Sequence, residues 1–450
     1  MSRFTIPTVG APTSVLFPGV QRRRLGGGLR LWAIEHTAVP VVTVTCLVEA
    51  GTAIDPPELP GLATLTSALL TEGAGSYDAI ELSDALARIG ANLSTETGTD
   101  TASLTLTTLS KYFDRALAIM ADVIRRPRMA APDFARVRDL RLSRLKQLAR
   151  TPAAAADRAL LSAIYGQHPY GRGALGTTRA AERVTLDDVR ACWASAWHPS
   201  TAAILVAGDI QPVRALDACE AALGDWVAAG NPPRETPVPV FQQAPDILFV
   251  AWPDAPQSEI RAGHGGPARR TGDYPALVAL NAILGGQFMS RINRNLREER
   301  AITYGARTSF DMRRVGGVYS CEASVQSDAT AVALAEVLRE TRGIQAEGSI
   351  TEDELGRAQA ALARGYGRHF ETAGHLVRAM SELVSYGLPE DTFDRFVPAI
   401  EALTPDVVTR TARQFLRPDD SALVVVGDRT RIGTGLESLG RPIAEIAPEF

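Results

Sequence analysis

Cysteine is scarce in this 450-residue chain, and the shortage excludes two classes of protein. The four cysteines stand far apart among apolar residues, with no C-x-x-C pair; they are Cys46, Cys192, Cys219 and Cys321. This pattern excludes a disulfide scaffold and a cysteine-based zinc cluster. We therefore expect buried free thiols and a reducing compartment.

Long hydrophobic runs and an excess of one charge sign are also missing. No apolar run reaches the roughly 18 residues that a membrane-spanning helix needs, so no membrane association is predicted. The formal net charge of -4 provides no basic surface for nucleic acid or an anionic membrane. The N-terminus shows no signal-peptide pattern, which predicts a cytoplasmic protein, or a periplasmic one if a signal peptide has been removed.

The chain does contain an internal repeat. TLDDVRACWASAWHPSTAAILVAGD (185–209) matches TPDVVTRTARQFLRPDDSALVVVGD (404–428), each read as a helix, a turn, a buried strand and a Gly-Asp stop. APDFARVRDLRLSRL (131–145) matches TEDELGRAQAALARG (351–365) with Asp133 aligned with Glu352, which is the same offset of 219 residues. The repeat predicts two homologous halves.

A proline-rich segment over residues 231–244 is predicted to link the halves, which would span residues 1–230 and 245–450. ASLTLTTL (102–109) and GVYSCEASV (317–325) alternate in polarity like strands. Runs of strands beside runs of helices predict an α+β fold. Each half would have a mostly antiparallel sheet with helices packed on one face.

The glycine-rich segment GHGGP (263–267) lacks the Lys-Ser/Thr pair of a phosphate-binding loop. We predict a turn at the end of a strand there, with a flexible substrate-contacting loop as the alternative. The six histidines include no two at i, i+3 or i, i+4, so they indicate no helix-borne metal site.

Two segments carry a resemblance to a known family. EAGTAIDPPELPGLA (49–63) precedes a helix in the first half, and DYPALVALNAILGGQFMSRINRNLREERAITYG (273–305) lies in the second. Their order and spacing resemble the pitrilysin/insulinase family of inverted-zincin peptidases, which includes the mitochondrial processing peptidase subunits. The resemblance covers nearly the whole chain and implies that the two halves form half of a clamshell.

In that family the helix after Gly-Leu-Ala begins with His-x-x-Glu-His, which holds zinc and activates water. The corresponding residues here are Thr64, Ser67 and Ala68, and the third ligand is expected near residues 143–145, which hold no carboxylate. Neutral hydroxyls are poor zinc ligands and poor bases, and alanine offers no donor atom. The resemblance therefore predicts a degenerate zinc site, with no metal or other cofactor on this chain.

The family's second device is an Arg and a Tyr seven residues apart near the end of a helix, which stabilise the oxyanion of the tetrahedral intermediate. Here the pair is Arg297 and Tyr304, with Gly285 and Gly286 predicted to open the helix. Arg300 is a competing arginine. The alternative is that the pair is an inherited remnant, with Arg297 on a helix surface and Tyr304 in a core or interface.

The resemblance implies a non-zinc subunit of a heterodimeric metallopeptidase, inactive alone or as a homodimer. A homologous partner with an intact motif would carry the zinc, while this chain would close the chamber and bind peptide or unfolded polypeptide. The alternative is a catalytically inactive scaffold or peptide-binding protein of the same fold.

Overall fold

The structure is a computed structural model that describes residues 15–243 and 246–450. The strands within these ranges are β1 Gln21–Arg24, β2 Arg30–Glu35, β3 Val41–Val48, β4 Gly73–Ala74, β5 Tyr77–Asp78, β6 Asn92–Thr97, β7 Ala102–Leu109, β8 Ala202–Gly208, β9 Ile247–Ala251, β10 Gln257–Gly266, β11 Thr303–Asp311, β12 Gly317–Gln326, β13 Ala422–Gly427 and β14 Ile443–Glu445. The α-helices are α1 Leu62–Leu70, α2 Ala79–Ala87, α3 Phe113–Arg125, α4 Ala131–Leu148, α5 Pro152–Tyr165, α6 Thr178–Arg183, α7 Leu186–Ala196, α8 Pro212–Leu223, α9 Tyr274–Asn281, α10 Arg291–Asn293, α11 Thr330–Gly343, α12 Glu352–Tyr366, α13 Ala373–Tyr386, α14 Thr392–Glu401, α15 Pro405–Phe415 and α16 Arg429–Ile432. Two π-helical segments, Ala282–Gly286 and Arg294–Glu299, continue α9 and α10.

Each half of the chain builds one six-stranded sheet. The strand orders are β1-β2-β8-β3-β7-β6 and β11-β12-β10-β13-β9-β14. Neighbouring strands are antiparallel except for β2 with β8 in the first sheet and β9 with β13 and β14 in the second. Both strands predicted from alternation form, as β7 and β12. The predicted α+β fold with two mostly antiparallel sheets is confirmed.

The sequence repeat is a structural repeat. Thr185 caps α7 and Thr404 caps α15, and each helix is followed by a buried strand that ends at Gly208 or Gly427. Residues 231–243 form no helix or strand, and the last residue of the predicted linker lies outside the described ranges. The domain boundaries themselves stay a prediction.

The two halves exchange one helix each, which the sequence pattern did not predict. Leu376, Val377 and Met380 of α13 pack against Leu47 and Leu205 on the first sheet. In return, α5 of the first half packs on β10 and β13 of the second sheet, through a cluster that includes Leu160 and Val424. Each sheet is therefore covered on one face by helices of its own half, as predicted, and on the other face by a helix from the opposite half.

The prediction of a turn at GHGGP is wrong, because β10 continues through it as far as Gly266. Its glycines are required by close packing in the strand. A Cβ at Gly263 would lie 2.5 Å from the Tyr319 carbonyl oxygen, and one at Gly265 would lie 2.2 Å from the Phe241 ring. These glycines therefore mark a place where neighbouring chain approaches a strand closely.

The four cysteines are free thiols, as predicted. Cys46, Cys219 and Cys321 are buried, Cys192 is partly buried, and burial raises the pKa of each thiol. In the part of the chain that the structure describes, no helix has the length and hydropathy needed to cross a bilayer.

Candidate functional site

Helix α1, the helix of the expected zinc motif, starts at a tightly fixed point. Gly61 precedes it with φ of 91°, where a Cβ would lie 2.5 Å from the Leu175 carbonyl oxygen. The Asp55 carboxylate accepts the N–H groups of Gly61 (2.7 Å) and Ala63 (2.8 Å), two of the donors that a helix start leaves free. Arg141 of α4 donates to the Gly61 carbonyl oxygen at 2.7 Å. Buried charged groups thus position the start of α1.

The three zinc-motif positions on α1 differ in their contacts. The Thr64 hydroxyl donates to the Ala174 carbonyl oxygen at 2.6 Å. Ser67 is 1% exposed, and its hydroxyl has no hydrogen-bond partner among the described residues. Ala68 packs against the core of the first half. A nucleophilic role for Ser67 is excluded by its burial in this arrangement.

The segment expected to supply the third ligand does not fit zinc either. The Ser143 hydroxyl donates to the Asp139 carbonyl oxygen at 3.0 Å, and Leu145 is fully buried. Over residues 15–243 and 246–450, no three His, Cys, Asp or Glu side chains lie close enough to hold a metal ion. Because structural and catalytic zinc sites need at least three such ligands, α1 and α4 do not form one.

The buried Asp55 beneath α1 leads to a pH prediction. Burial raises its pKa to about 7, against the lowering effects of the Ala63 and Gly61 N–H groups and of nearby arginines. The stability that it contributes is therefore fully present below its unfolded pKa and is lost as pH rises through 7. Between pH about 4 and 7 we expect a fall of a few kcal/mol in the free energy of unfolding, at about 1.4 kcal/mol per pKa unit.

Denaturant unfolding at several pH values would measure this effect. Asp55→Asn keeps one acceptor oxygen but removes the titration, so its stability should change less with pH than that of the unaltered protein. Asp84→Asn, at an exposed aspartate of α2, is the control and should retain the full slope. Equal slopes in all three proteins would contradict the prediction.

Arg297 lies in the π-helical segment Arg294–Glu299. The predicted position of Gly285 and Gly286 at the start of this helix is wrong. They end the preceding helical segment, and the next helix begins at Arg291. π-Helical insertions are frequent at functional sites.

The Arg297 guanidinium is held in place from two sides. Its centre lies 3.3 Å from the centroid of the Phe288 ring, a cation–π contact. Nε and Nη2 donate to the same Glu298 carboxylate oxygen at 2.9 and 2.5 Å. The Arg297 side chain is consequently only 13% exposed, although Glu298 is half exposed. The only carboxylate that neutralises Arg297 within the described residues belongs to its chain neighbour.

Tyr304 projects into solvent from a bulge in an edge strand. It is the second residue of β11, and not part of the helix as the family pattern predicted. Thr303 pairs with Val325 and Ala306 with Ala323, so β11 has an extra residue between these pairs. Such bulges re-aim side chains, and Tyr304 is 93% exposed.

Asn293 fixes the helix of Arg297 to the strand of Tyr304. Its amide nitrogen donates to the Ala306 carbonyl oxygen at 2.7 Å, and its amide oxygen accepts the Ala306 N–H at 2.9 Å. The connection passes through Ala301 with φ of 54°, a left-handed conformation that costs an alanine about 1–2 kcal/mol. Arg297 and Tyr304 are therefore carried on elements that are rigidly joined.

Arg300, the competing arginine, is committed to another contact. Its Nη2 donates to Glu336 at 2.6 Å and its Nε to the Asn295 side-chain oxygen at 3.0 Å. Glu336 lies on α11 and is mostly buried. This ion pair attaches the π-helical segment to α11.

The structure does not bring the two predicted groups into contact within this chain. No hydrogen bond or ion pair among the described residues joins Arg297 or Tyr304 to Thr64 or Ser67. Helix α1 packs against β6 and β7 of the first sheet, whereas α10 packs against β11 of the second. Each group lies beside the edge strand of its own sheet.

Sequence reasoning missed two exposed apolar residues beside Arg297. Phe288 is 71% exposed and Met289 is 68% exposed. The sequence signal was an apolar pair in the short segment between Gly286 and the helix that begins at Arg291. We call Phe288, Met289 and Tyr304 the aromatic edge, because these exposed side chains lie on the two segments that Asn293 joins through Gln287 and Ala306.

The paired six-stranded sheets and the exchanged helices define an α+β fold of two similar modules. The chain belongs to peptidase family M16. The model of insulinase (peptidase family M16) matches residues 31–178, and that of the peptidase M16 inactive domain matches residues 183–362.

Relatives and solved structures agree with this assignment. An uncharacterized zinc protease of Mycobacterium leprae is 25% identical, with 90% of this chain and 92% of the relative covered. The non-peptidase homolog YmxG of Helicobacter pylori is 20% identical over 88% of this chain and 91% of its own length. The structure of a peptidase M16 inactive domain from Pseudomonas fluorescens superposes with a TM-score of 0.86 at 23% identity, covering 91% of this chain and 98% of that one.

Proposed function

We propose that this chain is the non-zinc subunit of a heterodimeric zinc metallopeptidase. One observation carries the proposal: Tyr304 is 93% exposed on a bulged edge strand that is rigidly joined to the helix of Arg297. A tyrosine used only for packing would be buried. An exposed tyrosine on a fixed strand is suited to donate its hydroxyl to another molecule.

The aromatic edge supports a protein partner at this place. Phe288, Met289 and Tyr304 are all more than two-thirds exposed, and Arg297 stacks on the Phe288 ring. Clustered exposed apolar side chains mark interaction sites on soluble proteins. Aromatic residues, methionine and arginine are the types enriched at the centres of protein interfaces.

The role of Arg297 and Tyr304 in such a heterodimer would be electrostatic. The zinc-bearing subunit would supply water activation, which α1 of this chain lacks the ligands to provide. Arg297 and Tyr304 would donate hydrogen bonds to the substrate carbonyl oxygen as negative charge develops on it. Arg297 would exchange its contact with Glu298 for the substrate, since Glu298 is half exposed and can turn into solvent.

Substrate would bind as an extended peptide. Strands β6 and β11 are the sheet edges next to α1 and to Arg297, and β6 alternates between exposed and partly buried residues. An extended peptide can add to such an edge through main-chain hydrogen bonds. The same property supports the rival function, a peptide-binding or scaffold protein without catalysis, and one relative is named a non-peptidase homolog.

A reconstitution assay tests the proposal. The chain alone, a His-x-x-Glu-His homologue from the same genome alone, and their mixture would be assayed on fluorogenic peptides with added zinc. We expect cleavage by the mixture only, together with a heterodimer in size-exclusion chromatography. A stable heterodimer without cleavage would favour the scaffold function, and the absence of any complex would overturn the proposal.

A further inference from the structure

A large polar cavity lies between β3, β6 and β7 of the first sheet and one side of helix α13, next to the place where α13 packs on this sheet. Its volume is about 770 Å³. One wall is a platform of side-chain hydroxyls on β3, β6 and β7: Thr43, Thr45, Ser94, Ser103, Thr105 and Thr107. Two pairs of these hydroxyls lie across from each other, Thr45 with Thr105 at 2.8 Å and Thr43 with Thr107 at 3.4 Å. The wall can donate and accept hydrogen bonds over its whole width.

A second, aromatic cavity of about 260 Å³ adjoins the first. Both are lined by Tyr274, His375 and Arg378, which therefore form their junction. The aromatic cavity is further lined by Tyr366, Phe370, Phe393 and Phe396. An apolar cavity of about 150 Å³ suffices to bind benzene, so this one is large enough for an aromatic side chain.

The junction contains a cation whose charge is not neutralised. Arg269 is paired with Glu382 (2.6 Å) and stacks on Tyr274 at 3.5 Å, so this pair is internally satisfied. Arg378 is exposed and makes no ion pair or hydrogen bond with any described residue. The His375 Nδ1 atom is buried and likewise has no partner in the described ranges. The junction therefore offers the unpaired Arg378 guanidinium to an incoming ligand.

We propose that these adjoining cavities bind a carboxylate that carries an aromatic group, such as a free aromatic amino-acid derivative or the C-terminal residue of a peptide. The aromatic group enters the second cavity, and Arg378 holds the carboxylate at the junction, beside the His375 ring. The amide or peptide portion extends over the hydroxyl platform. The proposal is independent of the peptidase function and of Arg297.

The anionic residues of the polar cavity agree with this orientation. The polar cavity has three carboxylates: Glu96 lies on the sheet wall, and Asp311 is paired with Arg313 at 2.8 Å. Glu382 lines both cavities, but its charge is neutralised by Arg269 at 2.6 Å. Glu96 would repel a carboxylate, but neither Glu96 nor Asp311 lines the aromatic cavity. A bound carboxylate is thus favoured at the junction and disfavoured farther along the platform, where neutral peptide groups fit.

Isothermal titration of the full chain with matched probes tests the proposal. The probes are N-acetyl-phenylalanine, its C-terminal amide, N-acetyl-alanine, and a hexapeptide that ends in phenylalanine. We expect the acid to bind at least ~10-fold more tightly than the amide, which lacks the charge that strengthens a hydrogen bond with Arg378. We expect a similar loss for the alanine compound, which keeps the carboxylate but has no ring to bury in the aromatic cavity. If the hexapeptide binds more tightly than N-acetyl-phenylalanine, the site is assigned to peptide C-termini. If the two bind equally, it is assigned to small aromatic carboxylates.

Two arginine variants complete the test. Arg378→Gln should reduce acid binding to the level of the amide, and because Arg378 is exposed the variant should fold normally. Arg364→Gln, at an exposed arginine of α12 that lines neither cavity, should bind like the unaltered protein. Equal affinity for acid and amide, equal losses in both variants, or no saturable binding up to about 10 mM would overturn the proposal.

Discussion

The Arg297→Ala variant, combined with a zinc-bearing partner, is expected to cleave peptides with kcat lowered about a hundredfold and KM little changed. The reason is that its donors would act on charge that develops only in the transition state. Arg297 contacts Phe288 and Glu298 at the surface and supports no core, so the variant should fold and form the heterodimer. Steady-state kinetics on a fluorogenic peptide would measure the effect.

Two further variants separate this role from a structural one. Tyr304→Phe removes only a hydroxyl that is exposed in the free chain, and should lower kcat by about tenfold or more without changing stability. Arg294→Ala, on the same π-helical segment with an exposed side chain, is the matched control and should keep full activity. If neither Arg297→Ala nor Tyr304→Phe lowers kcat, the pair is a remnant and the scaffold function replaces the proposed one.

The Leu376→Ala variant should lose about 2–5 kcal/mol of unfolding free energy. Leu376 is fully buried on α13, where it packs among Leu47 and Leu205 of the first sheet. Truncation leaves a cavity at the contact between the halves, so both sheets should be affected. Guanidinium unfolding would give the loss in stability, and hydrogen exchange would show reduced protection in β3 of the first half.

Leu140→Ala provides a control with the same change in side chain. Leu140 lies on α4 and is 60% exposed, so its truncation should change stability by about 0.5 kcal/mol or less. A Leu376→Ala variant that loses protection only between residues 246 and 450 would show that α13 does not stabilise the first sheet.

Much of the fold could be predicted because the sequence repeats its own signals. The helix cap, turn and buried strand that end at Gly208 recur and end at Gly427, and each recurrence is visible in the printed chain. Alternation alone located β7 and β12, since one face of each strand is buried and the other is not. Local sequence patterns of this kind predict individual helices and strands, and two copies of the same series of patterns predict two similar sheets.

The partners of the helices could not be predicted from the same patterns. The apolar face of α13 shows that it packs on something, but its periodicity does not say which sheet it covers. The spacing to Tyr304 favours Arg297 over Arg300, but the sequence does not show that Glu336 of α11 pairs with Arg300. The glycines of GHGGP were predicted to form a turn because the sequence alone does not show that Phe241 and Tyr319 approach them closely.

The ribosome synthesises the strands of the first sheet long before it synthesises α13, the helix that covers one face of this sheet. All six strands of the first sheet have emerged once Gly208 is synthesised, but α13 follows only after residue 373. Until then Ile34, Leu47 and Leu205 have no covering helix. The nascent first half therefore exposes an apolar strip until α13 is synthesised. Chaperones bind exposed surfaces of this kind. Expression of residues 1–230 alone should yield an aggregating fragment.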